Sequence, residues 1–173
     1  MIKTLKWDSN FFGIKVGLIK LSSESDLNHF NKYGSSLIKD YKLIYLVTDE
    51  HIVVPKTILN KYNGSFINQR IVYNKTLTST NYNIPDWIID YKDKTIPNEL
   101  ISLALSSGTF SRFRIDSNFT FEKYEELYSL WIKNSINRKI ANGVVVASFR
   151  EKIKGMITYK YNKQNATIGL LSV

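Results

Sequence analysis

The sequence has no cysteine among its 173 residues. A chain without thiols forms no disulfide, holds no metal through thiolates and has no cysteine nucleophile, so several classes of enzyme are excluded. Histidine is almost as scarce, since His29 and His51 are the only two. Each is typical of a surface polar residue at a helix or turn, and we expect no metal site.

Long apolar stretches are missing as well. No run approaches the roughly 20 apolar residues that span a bilayer, and the opening MIKTLKWD lacks the apolar segment of a signal peptide. We therefore expect a cytoplasmic protein with no membrane partner.

Acidic residues are outnumbered, because 15 Asp and Glu face 24 Lys and Arg and leave a net charge of +9. Both halves share the excess, 13 minus 9 up to Asn98 and 11 minus 6 from Glu99 onward. The sequence has no basic tail, no run of four Lys or Arg, and no aromatic and basic fingerprint of an RNA-binding sheet. The abundant Lys, Asn, Ile and Tyr indicate a compositional bias, and we expect no nucleic-acid partner.

Apolar residues, by contrast, are plentiful enough for a core, at 43% of the chain with 13% aromatic. Residues 1–78 alternate between strand and helix patterns. The predicted order is a turn at WDSN, a strand through Val16–Leu21, a helix over 24–40, a strand at KLIYLVT, a short helix at VPKTILNKY and a strand at FINQRIVYNKTL. This order predicts a small α/β domain with a partly parallel sheet.

The prolines and clustered Thr, Asn and Asp of residues 79–98 predict a connector, which Trp87, Ile88 and Ile89 anchor to a core. Residues 99–173 then predict a helix at ELISLALSSG, a helix at FEKYEELYSLWIKNSI capped by Thr120, and strands at VVVASF, IKGMITYKY and ATIGLLSV. Links as short as REK and NKQN make neighbouring strands antiparallel. The predicted fold class is α/β (α+β), a small α/β domain followed by two helices and a three-stranded meander.

Five segments carry a family resemblance in order along the chain: WDSNFFGIKVG, LALSSGTFSRFRID, YSLWI, KGMITY and IGLLSV. Together they resemble the dTDP-fucosamine N-acetyltransferase branch of the GNAT superfamily, whose members place a small α/β domain ahead of the GNAT core. The resemblance implies transfer of acetyl from acetyl-CoA to an amine, with an amino sugar on a nucleotide carrier as the first candidate acceptor.

In that family the IGLLSV position is the fourth core strand, whose backbone binds the pantetheine arm of acetyl-CoA. The resemblance thus assigns cofactor binding to Leu171, Ser172 and Val173, although these residues equally fit a plain core strand. The family's pyrophosphate-binding loop and its general-acid tyrosine would follow Val173. We therefore expect the catalytic residues to lie beyond this sequence and the 173 residues alone to be a weak or inactive catalyst.

The segment SRFRID supplies the candidate acceptor site. Arg112 and Arg114 could grip the diphosphate of a nucleotide sugar, because a guanidinium fork matches phosphate oxygens. In the alternative interpretation Asp116 and the helix ends pair these arginines and Phe113 packs in the core.

Other apolar and glycine positions are predicted to be structural. Trp7, Phe11 and Phe12 are expected in the core, and Gly155 inside a strand indicates a bulge or a close backbone approach. A second functional hypothesis stays open, a non-catalytic assembly module that pairs through an open sheet edge, with itself as a homodimer or with a partner strand.

Overall fold

The first unit of the structure alternates strands and helices. A computed structural model describes residues 2–78 and 83–173, which form two compact units, Met1–Phe66 and Ile67–Val173. The elements of the first unit are β1 (Lys3–Thr4), α1 (Lys6–Phe12), β2 (Val16–Leu21), α2 (Glu24–Ile38), β3 (Leu43–Thr48) and α3 (Lys56–Lys61). Strand β2 pairs antiparallel with β1 and parallel with β3, so the prediction of a partly parallel sheet is confirmed.

The core of this unit lies between its sheet and its helices. Leu27 and Phe30, three residues apart on α2, pack against Ile19 and Leu21 of β2, and Ile58 of α3 joins the same buried cluster. A spacing of three or four residues places side chains on one helix face, so the apolar stripe of α2 covers the sheet.

The segment WDSN does not form the predicted turn but lies inside helix α1. Trp7 and Phe11 stack one helical turn apart, with ring centroids 5.2 Å from each other. Gly13 then ends the helix at a φ of 67°, a left-handed conformation that suits glycine. The expectation that Trp7 lies in the core is wrong, since 46% of the residue is exposed.

The strand predicted at FINQRIVYNKTL is absent. Residues 66–77 have no regular secondary structure, and Phe66, Ile71, Tyr73 and Leu77 are each more than 60% exposed. Aromatic and β-branched residues favour a strand only when a neighbouring strand supplies hydrogen bonds and a packing surface. No partner strand lies beside this segment among the described residues.

The second unit is built on a four-stranded sheet. Its elements are β4 (Ile88–Asp90), α4 (Asn98–Ser107), α5 (Arg112–Ile115), α6 (Phe121–Ile136), β5 (Gly143–Phe149), β6 (Lys152–Tyr161) and β7 (Ala166–Ser172). All neighbours in the order β4-β5-β6-β7 are antiparallel, which confirms the meander. Within the predicted connector over 79–98, Ile88 and Ile89 belong to β4 and pair with β5, and residues 79–82 of that connector lie outside the described part of the chain.

Helices α4 and α6 cover one face of this sheet. Helix α4 packs on β6 and β7, while α6 packs on β5 and on α4. The core between them contains Leu100, Ala104, Leu127, Ile132, Val144, Val146 and Met156, each at most 3% exposed. The fold is therefore α+β in this unit. Within residues 2–78 and 83–173, no helix is both long enough and apolar enough to cross a membrane.

Candidate functional site

Strand β7 forms one edge of the four-stranded sheet, and its pairing with β6 contains a break. Ile157 lies opposite Leu171, whereas Tyr159, two residues further along β6, lies opposite Ile168. Thr158 between them therefore faces two residues of β7, which is the geometry of a β-bulge.

At this bulge a side-chain oxygen, rather than a backbone carbonyl of the neighbouring strand, accepts a backbone hydrogen bond. The backbone N–H of Leu170 donates to Thr158 Oγ1 at 2.8 Å, and Thr158 is buried. The other residue of the bulge is Gly169. A Cβ at this position would lie 2.6 Å from Thr158 Oγ1 and displace it. Glycine at 169 and threonine at 158 thus fit each other and fix the irregular course of β7.

The residues predicted to bind acetyl-CoA lie beyond the bulge, at the end of β7. Ser172 is buried on the helix-covered face, while Leu171 and Val173 are 54% and 96% exposed. Among the described residues β7 pairs with β6 alone. The outer edge of β7 therefore presents backbone N–H and C=O groups that a ligand or another strand can use.

The two predicted acceptor residues lie on the short helix α5. The Arg112 guanidinium stands 4.5 Å from the ring centroid of Phe113, and that of Arg114 stands 5.1 Å from the ring centroid of Phe121. Phe113 is buried, as the alternative interpretation of this segment expects. The Asp116 carboxylate accepts hydrogen bonds from the backbone and side-chain N–H groups of Asn118. Each guanidinium group thus has one face against an aromatic ring.

Two buried tyrosines of α6 lie next to these arginines. Burial raises the pKa of the Tyr128 hydroxyl above its ordinary value, while the Ser111 hydroxyl and the charge of Arg112 act in the opposite direction. Burial and the nearby Tyr128 likewise raise the pKa of Tyr124, against the Thr109 hydroxyl and the charge of Arg114. The Tyr124 hydroxyl donates to the Leu105 carbonyl of α4. Both tyrosines are therefore neutral hydrogen-bonding groups at neutral pH.

The predicted acceptor residues on α5 and the predicted acetyl-CoA residues on β7 are linked by a series of packed helices. Helix α5 packs on α6, α6 packs on α4, and α4 packs on β7. Sequence reasoning missed α5, the Thr158 bulge partner and the tyrosine pair. It did single out Gly155, beside which the β5–β6 register shifts, and Val173 approaches this glycine so closely that a Cβ would lie 3.1 Å from Val173 Cγ1.

No cluster of metal-binding side chains appears in the part of the chain that the structure describes. In comparisons with known proteins, no family model and no curated protein sequence matches this chain.

Proposed function

We propose that the chain carries the β4–β7 portion of a GNAT-type N-acetyltransferase, which moves acetyl from acetyl-CoA to an amine in the cytoplasm. The observation that carries this proposal is the order of elements in the second unit. Helices α4 and α6 lead into the antiparallel meander β5-β6-β7, and the register of β7 breaks before its exposed end. This order supports the resemblance of the segments quoted from the sequence.

In the proposed reaction, the outer edge of β7 binds the pantetheine arm. The arm contains amide groups, and an open strand edge offers N–H and C=O groups at the regular spacing that amides need. A backbone N–H from Leu171, Ser172 or Val173 would also polarise the thioester carbonyl, where negative charge develops as the amine attacks. The cost of ordering the edge is already met because the bulge fixes the strand.

The proposed acceptor is a nucleotide-linked amino sugar whose diphosphate binds Arg112 and Arg114. Guanidinium groups bind phosphate oxygens through paired, charge-assisted hydrogen bonds. Stacking on Phe113 and Phe121 restricts both side chains, so less conformational entropy is lost when phosphate binds.

The cofactor proposal is tested by titrating acetyl-CoA into the isotope-labelled chain and following backbone amide resonances. We expect saturable shifts at Leu171, Ser172 and Val173, with the amide of Leu18 in the first unit as an unaffected reference. Acetyl transfer by this chain alone is expected to be weak. Absence of shifts at millimolar acetyl-CoA, or shifts confined to other strands, would overturn the assignment to β7.

The acceptor proposal is tested separately with thymidine diphosphate as the probe. We expect Arg112→Gln and Arg114→Gln each to weaken its binding on the order of tenfold, because each removes a charge-assisted contact. Arg138→Gln, which removes the same charge from the turn after α6, is the matched control. Equal binding by all three variants would remove Arg112 and Arg114 from the acceptor site.

A second function is favoured by the surface of β7 itself. Residues 166–173 have no charged side chain, and Ile168, Leu171 and Val173 are each more than half exposed. Edge strands usually carry charges that prevent pairing with another chain. We propose as the alternative that β7 pairs with β7 of a second copy across a two-fold axis.

Sedimentation velocity separates this alternative from the enzyme. A concentration-dependent dimer that Leu171→Lys dissociates, but Thr167→Lys on the opposite face of β7 does not, would support assembly. If the chain is a monomer at all concentrations and acetyl-CoA shifts the amide resonances of β7, the assembly function is contradicted and the acetyltransferase function is supported.

A further inference from the structure

A cavity of about 350 Å³ opens between the C-terminal half of α6 and the strands β6 and β7. Its apolar wall is formed by Trp131 on α6, Ile140 and Ala141 in the turn that follows, and Leu170 at the bulge. Its volume lies within the range of small-molecule sites, which run from about 300 to 1,000 Å³. The cavity is therefore large enough for a two-ring ligand.

The hydroxyl groups in this wall point mostly toward the backbone. Ser135 Oγ donates to the Trp131 carbonyl at 2.8 Å, so its proton is not available to a ligand. Thr158 Oγ1 accepts from the Leu170 N–H at 2.8 Å and keeps one proton that it can donate. Thr167 and Tyr159 also belong to the lining, so the cavity combines an apolar surface with a small number of hydroxyl groups.

The residues that line the cavity all belong to a segment of the chain whose charge is predominantly positive. The 47 residues after Glu126 contain one acidic residue, Glu151, and eight basic residues, namely Lys133, Arg138, Lys139, Arg150, Lys152, Lys154, Lys160 and Lys163. This stretch thus contributes +7 of the net charge of +9. The positive charge of the second half is therefore concentrated after Glu126.

Lys160 lines the cavity, and among the described residues no ion pair includes it. Glu151 lies in the β5–β6 turn at the other end of β6, roughly 30 Å from Lys160 at the usual rise per strand residue. That separation exceeds the screening length of about 8 Å at physiological salt. Among the described residues that line the cavity, Lys160 alone carries a charged side chain.

We propose that this cavity binds a small organic anion. The apolar body of the ligand lies against Trp131 and Ile140, and its negative group lies at Lys160, where the Thr158 hydroxyl supplies a further donor. The ligand class is an aryl or alkyl carboxylate, sulfonate or phosphate monoester. This site lies on the helix-covered side of the sheet and does not depend on acetyl transfer at the end of β7.

The probe for the test is naphthalene-2-sulfonate, with the uncharged naphthalene-2-methanol as its matched analogue. Amide and indole resonances of the full chain report the site. We expect saturable shifts at the Trp131 indole N–H and at the amides of Gly169 and Leu170. The alcohol is expected to bind on the order of tenfold more weakly, because it lacks the charge that Lys160 attracts.

Two substitutions on the same strand separate a local charge from the general positive field. Lys160→Glu is expected to weaken sulfonate binding on the order of tenfold, whereas Lys154→Glu, roughly 20 Å along β6, leaves the affinity within about twofold. Ala141→Phe, checked for folding by its thermal transition, should abolish binding by filling the cavity. Equal affinity for sulfonate and alcohol, equal effects of the two lysine variants, shifts at Ile168 and Leu171 instead, or no binding at millimolar probe would each overturn the proposal.

Discussion

The titratable side chain of Tyr128 lies in a cluster of aromatic rings. The centroid of its ring is 4.9 Å from the ring centroid of Tyr124 and 4.9 Å from that of Trp131. Because burial raises the pKa of the Tyr128 hydroxyl, the folded chain holds its proton more tightly than the unfolded chain does. The resulting stability is fully present below the ordinary tyrosine pKa of about 10 and is lost as the pH rises through the higher folded pKa.

We therefore expect the free energy of unfolding in urea to fall above about pH 10, and to fall less steeply in Tyr128→Phe. Tyr73→Phe, at an exposed ring, is the control and should keep the slope of the parent chain. Identical slopes for Tyr128→Phe and the parent would contradict the assignment.

Gly108 lies so close to the Tyr128 ring that a methyl group cannot fit without a shift of the ring or the backbone. Its φ of −98° is ordinary, so the requirement for glycine is steric. We expect Gly108→Ala to lower the free energy of unfolding by about 1–3 kcal/mol, measured by urea unfolding. In Gly64→Ala the nearest atom is the Leu59 carbonyl oxygen at 3.5 Å, so this matched change should be nearly neutral. Equal losses in both variants would show that the contact with Tyr128 has no special cost.

For single residues, the sequence indicates burial better than it indicates contact partners. The alternative interpretation of SRFRID places Phe113 in the core, and Phe113 is buried. Thr158 and Tyr128 were not predicted as partners of Leu170 and Gly108, since their roles depend on contacts between segments far apart in sequence. Local spacing does not encode such contacts.

At the scale of elements, the course of β7 depends on a side chain of the neighbouring strand. Thr158→Val keeps the volume but removes the acceptor of the Leu170 N–H, which is left partly buried without a partner. An unsatisfied buried donor costs about 1–3 kcal/mol, so we expect that loss of stability and faster hydrogen exchange at the Leu170 amide. Thr167→Val, on an exposed residue of β7, is the control. Unchanged exchange at Leu170 would mean that the bulge is held by the strand pairing alone.

The structure confirms each predicted helix and strand except the strand at FINQRIVYNKTL, and every confirmed element has six residues or more. Helices α2, α4 and α6 and the strands β5, β6 and β7 carry enough periodic residues and turn signals to be recognised locally. Strands β1 and β4 and helix α5 have two to four residues each, and their conformation is set by neighbours. The segment over 66–77 has strand-forming residues but lacks a strand partner among the described residues, which explains why that prediction is wrong.

At the scale of the whole molecule, Tyr73 is the most exposed aromatic residue among those the structure describes, so its segment is readily accessible to a protease that cleaves after aromatic residues. Tyr73 is 88% exposed and Phe66 is 77% exposed, and neither lies in a helix or strand. We expect limited chymotrypsin digestion to cut after these residues first, which mass spectrometry of the fragments would identify. Buried aromatic residues such as Phe30 and Tyr124 serve as internal controls. A first cut at either of them would contradict the exposure of this segment.

The first unit completes its buried cluster early in the sequence, because its innermost residues run from Ile19 to Ile58 and all three strands of its sheet precede position 49. A ribosome adds about 5–20 residues per second, so the 107 residues after Phe66 take roughly 5–20 s to synthesise. During that interval the N-terminal chain can leave the exit tunnel and close its sheet. The first unit thus has the chance to fold while the ribosome is still translating the strands of the meander.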